Sequence, residues 1–65
     1  MAEEERREFV KRLQALEVGK GLKITERDER DLPGLQREVA AIGRELGRVF
    51  KVVQIKGEIM VVRKA

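Results

Sequence analysis

Between Val49 and Arg63 the chain sets bulky apolar side chains at odd and even positions alike, on both sides of a Lys56-Gly57 pair. β-Branched runs separated by two residues, the second a glycine, predict a β-hairpin, with Lys-Gly standing where Asn-Gly is the commonest choice. With that turn, Ile55 faces Glu58, Val53 faces Met60 and Lys51 faces Val62 on one side of the ribbon. The other side holds Phe50 with Arg63, Val52 with Val61 and Gln54 with Ile59. Both sides are apolar, whereas an antiparallel sheet in a small protein ordinarily turns one polar face to water. Two arrangements satisfy such a ribbon. Either two helices cover opposite faces, or both cover one face and the other meets a second copy or a different protein.

The helices are legible upstream. Phe9, Leu13 and Leu16 fall at i, i+4 and i+7 in a stretch without Gly or Pro, which predicts an amphipathic helix over residues 2–17. Glu3, Glu4 and Glu5 lead it and Lys11 and Arg12 follow, the order that suits the helix dipole. Gly19 and Gly21 are expected to stop it, and residues 22–25 read as a short strand. Pro33 disfavours a helical Leu32 and suits the first helical position, with Asp31 as a capping acceptor, so a second helix is expected over 33–46. Its seam of Leu32, Leu35, Val39, Ile42, Leu46 and Val49 steps by three and four, and Gly47 is the expected stop. Gly43 lies inside that helix at a cost of about 1 kcal/mol relative to Ala, which a close approach by another backbone would explain. Adding the hairpin at 49–63 gives a single small α+β domain over 1–65, in the order α-β-α-β-β, with a three-stranded antiparallel sheet.

A chain of 65 residues buries a modest fraction of its surface, and with 42% apolar residues and no cysteine it is expected to lean on well-packed helices or a partner, a homodimer included. His, Cys, Ser, Asn, Trp and Tyr are all missing, which removes the usual nucleophiles, proton shuttles and zinc or iron ligands. No enzymatic activity, cofactor, metal or small-molecule substrate is expected. Glu26, Asp28, Glu29 and Asp31 alternate with Arg27 and Arg30 and lack the glycine and spacing of a calcium loop, so they read as a charged surface loop. The longest bulky apolar run, Ile59 to Val62, is far too short for a bilayer, and a cytoplasmic location is expected.

Charge is unevenly placed. Residues 1–32 hold eight Lys and Arg against nine Asp and Glu, and residues 33–65 hold seven against three, so the second half carries +4. Arg37, Arg44 and Arg48 lie at i, i+7 and i+11 on the second helix, with Lys51 just beyond, Lys56 in the turn and Arg63 and Lys64 near the end. Such a stripe suits a phosphate backbone, since Arg presents forked donors to phosphate oxygens. With Phe9 and Phe50 as the only aromatics, both placed for the core, base stacking is excluded and backbone-dominated, weakly specific binding is left.

The order helix, strand, helix, hairpin, with a basic second helix and a Lys-Gly hairpin tip, resembles a reduced winged-helix DNA-binding module. The resemblance implies that the second helix is the recognition helix and Lys56-Gly57 the wing, while the family's middle helix would have to fit within Thr25 to Leu32. The first expected function is a regulatory module that touches nucleic acid through Arg37, Arg44, Arg48, Lys51, Lys56, Arg63 and Lys64. The second is a small protein-binding inhibitor or adaptor that docks through Val53, Ile55, Met60 and Val62. In style it is similar to the products that compact phage genomes encode against host nucleic-acid machinery such as RNA polymerase.

Overall fold

The computed structural model describes residues 3–25, 27 and 29–65. Two helices, α1 (Glu3–Ala15) and α2 (Leu32–Leu46), accompany three strands, β1 (Gly21–Ile24), β2 (Phe50–Ile55) and β3 (Glu58–Arg63). The strands form one antiparallel sheet in the order β1-β3-β2. This is the α+β arrangement expected from the sequence, in the same element order. A single 3-10 turn, Glu29–Asp31, is the only helical element described between β1 and α2, so the middle helix of a winged-helix module is not formed among the described residues. The expected first residue of α1, Ala2, and the loop residues Glu26 and Asp28 lie outside the described residues.

The hairpin has the register its turn dictates, pairing Ile55 with Glu58, Val53 with Met60 and Lys51 with Val62. Lys56 and Gly57 have φ of 52° and 82°, the two left-handed residues that a two-residue turn of matching twist requires. β1 adds to the far side of β3, placing Leu22 opposite Val61 and Ile24 opposite Ile59.

Side chains alternate across a strand, so Ile24, Ile59 and Val61 share one face. These three lie in one buried cluster with Phe9 and Leu13 of α1 and Leu35, Val39 and Ile42 of α2. Both helices therefore cover the same face. Leu22, Phe50 and Val52, also on that face, pack against the cluster. Of the two arrangements open to a ribbon apolar on both sides, the molecule adopts the one that leaves a face bare.

Three local features depart from the sequence expectation. α1 stops at Ala15, and Gly19, at φ 83°, serves instead in the turn closed by Lys20 N–H to Glu17 O at 3.0 Å. α2 begins at Leu32, ahead of Pro33, because the 3-10 turn leads straight into it and the missing proline N–H falls among first-turn donors that have no helical acceptor anyway. Asp31 sits at the N-cap position without a side-chain capping bond, its carboxylate lying 3.5 Å from Arg27.

The end of α2 follows its glycines. Gly47 is left-handed at φ 69°, its N–H reaches Arg44 O, and Arg48 N–H donates to Gly43 O at 2.8 Å, which together close the helix as a Schellman turn. A Cβ on Gly43 would lie 2.7 Å from Arg48 O and 3.3 Å from the Phe50 ring. The close backbone approach expected at Gly43 is the chain folding back from α2 into β2.

Candidate interaction surface

The seven basic residues do not form one surface. Arg37 and Arg44 lie two helical turns apart on the side of α2 opposite Leu35, Val39 and Ile42, exposed to solvent. Arg48, expected to extend that row, is half-buried and turns toward α1, where its Nη1 donates to the carbonyls of Leu13 and Gln14. Arg63 stands opposite Phe50 on the covered face and donates from Nη1 to Leu16 O at 2.9 Å and from Nε to Ala65 O at 3.1 Å. These two guanidinium groups donate to carbonyls at and just beyond the end of α1, where the dipole favours positive charge; Leu13 O also accepts Leu16 N–H at 3.2 Å. The basic set thus loses two of its arginines to the fold, one of them, Arg48, from the row on α2. Lys51 faces the opposite way from Arg63 across the sheet, and Lys56 sits at the hairpin tip.

The uncovered face is built by the same alternation. Val53 and Met60 stand side by side, with Val62 and Lys51 in the next row and Ile55 and Glu58 toward the turn. None of these belongs to the buried cluster or to the residues packed against it. Met60 leans toward β1, its sulfur 2.5 Å from where a Cβ on Gly21 would lie, so that glycine makes room for the methionine across the sheet. Ile55 is 55% exposed.

The structure adds members that the sequence reading places elsewhere, Val49 on the apolar seam of α2 and Lys64 among the basic residues, and one, Lys23, that it leaves out. Lys64 N–H donates to Val49 O at 2.7 Å, extending the β2-β3 pairing by one step and bringing Val49, 56% exposed, and Lys64 onto the open side. Continuing the hairpin register past Phe50 and Arg63 would have found both. Lys23, next to Met60 on β1, also lies here and pairs with Glu58 at 3.1 Å. That contact follows from the β1-β3 pairing, which no local pattern announces.

On the helix side, Arg27 reaches Glu38 at 2.8 Å, both side chains mostly buried, and so ties the β1-α2 connection to the helix. A groove of about 520 Å³ beside it is lined by Glu5, Glu8, Phe9, Arg12, Ile24 and Arg27, among others, a mixture of both charges around an apolar floor. No helix among the described residues is long and apolar enough to cross a membrane. No known protein family, curated protein or solved structure matches this chain.

Proposed function

We propose that this chain is a non-enzymatic binding module that docks onto a larger protein through the open face of its sheet. The observation that carries this reading is that both helices share one face, leaving Val53, Ile55, Met60 and Val62 without a covering layer. An apolar face is costly to leave in water and favourable to bury, at about 25 cal/mol per Å². Three strands about 4.8 Å apart and six residues at about 3.3 Å each give roughly 300 Å² of face. Stable interfaces bury about 800 Å² on each partner, so two copies stacked face to face fall well short. A larger partner can extend the contact past the sheet, onto the hairpin tip and the free edge of β2.

Capture from lysate of the source cell tests this directly. The expected result is a protein partner that survives nuclease treatment and is lost with Val53→Glu. Capture that disappears with nuclease, or that Val53→Glu leaves intact, sinks the reading.

A second reading, contact with nucleic acid, is favoured by one observation. Arg37 and Arg44 project from the outer side of α2 and form no ion pair among the described residues. With Arg48 and Arg63 engaged in the fold, this contact is limited to a few phosphates and is correspondingly weak and salt-sensitive. Retention on a generic duplex at low salt, lost when both arginines become alanine, is its expected signature. No retention at low salt rules it out.

A further inference from the structure

We infer that the partner surface received by the open sheet face is acidic around an apolar centre. This deepens the docking reading and rests on it. Lys23, Lys51 and Lys64 stand on this face and Lys56 at its tip, around the apolar centre of Val53 and Met60. Glu58 is the one carboxylate among them, and Lys23 already holds it at 3.1 Å. Lys51, Lys56 and Lys64 form no ion pair among the described residues. The chain's acidic residues cluster elsewhere, four of them on α1 as Glu3, Glu4, Glu5 and Glu8. The face therefore presents an apolar strip inside a positive rim, and complementary potential is what selects a partner for such a rim.

Other occupants fit less well. A second copy would set this positive rim against itself, in addition to the shortage of area. A single strand stacks its bases on aromatic rings, and the centre offers Val, Ile and Met; a duplex backbone would use the positive rim and leave the apolar strip unburied. An anionic bilayer is held by Trp and Tyr rings set in the headgroup layer, and this face carries no Trp, Tyr or Phe. An acidic protein surface uses both the strip and the rim.

The test displays a random peptide library against the full chain and against two sets of variants. Val53→Glu and, at a site 55% exposed, Ile55→Glu block the strip. The double variant Lys51→Glu with Lys64→Glu inverts the rim. The expected peptides are net acidic with interspersed apolar residues, and they lose binding to both strip variants. They weaken by about tenfold or more on the rim variant, and similarly between roughly 50 and 500 mM salt. Peptides that depend on the strip but are neutral or basic, or that ignore the rim variant, overturn the acidic partner and leave the docking reading standing. Failure to select any strip-dependent peptide overturns both. Binding to a DNA duplex or to phosphatidylserine vesicles that the strip variants abolish overturns the inference. So does a doubled solution mass that returns to 7.5 kDa with Ile55→Glu.

Discussion

Arg63 Nη1 donates to the carbonyl oxygen of Leu16 at 2.9 Å, joining the last strand to the chain just beyond α1 across 47 positions of sequence. Arg48 makes the matching bond from the other side, to Leu13 and Gln14. A charged donor on a partly buried carbonyl contributes about 1.5–3 kcal/mol when fully desolvated and less near the surface. Arg48→Ala and Arg63→Ala are each expected to lower stability by about 1–2 kcal/mol. The double variant should lose less than the sum, because both act on one helix end. Urea unfolding of the three proteins checks this, and a full sum would show the two anchors to be independent.

Gly43 and Gly34 lie in the same helix and should respond oppositely to alanine. Gly34 has nothing within 4 Å of an added Cβ, so Gly34→Ala is expected to stabilise by about 0.5 kcal/mol through the unfolded chain. At Gly43 the added carbon would meet Arg48 O at 2.7 Å, and the forced shift is expected to cost about 1–3 kcal/mol despite better helix propensity. Thermal melts of both variants provide the comparison.

Lys56 is the one described residue other than glycine with a positive φ, at 52°. A lysine held left-handed costs about 1 kcal/mol relative to residues that tolerate it. Lys56→Gly and Lys56→Asn should therefore raise the unfolding midpoint, with Asn the better because it carries less unfolded-chain entropy. A lower midpoint for both would mean that the lysine side chain itself holds the turn.

The Arg27–Glu38 pair, at 2.8 Å with side chains 18% and 19% exposed, is the best-shielded ion pair among the described residues. Removing one partner leaves a charge in a poorly solvated place, and Arg27→Ala is expected to cost about 1–2 kcal/mol. In a double-mutant cycle with Glu38→Gln the two changes should couple by more than about 0.5 kcal/mol, whereas the exposed Arg7–Glu3 pair should show less.

How much of this was legible depended on distance along the chain. The hairpin register followed from Lys56-Gly57 alone, because a two-residue turn fixes every pair beyond it. The seam of α2 was equally plain, since helical spacing names the residues that face one way. The choice of face was not, because nothing within α1 or α2 says which side of a distant ribbon it will meet. The basic row on α2 parts at Arg48 for the same reason. Arg48 continues the spacing of Arg37 and Arg44, yet its acceptors lie 34 and 35 residues earlier, on an element with its own periodicity. One cue was present: α1 carries only Arg12 as a basic residue in its last turn, so its terminal carbonyls needed donors from elsewhere.

The alternation along β3 separates two kinds of change that are usually entangled. Ile59 and Val61 are 3% and 0% exposed and hold the fold, while Met60 and Val62 between them look outward. Substitutions at the partly exposed Met60 and Val62 are expected to disturb melting less than substitutions at Ile59 and Val61. A designer or a lineage seeking new specificity would have every second letter of one short strand to work with.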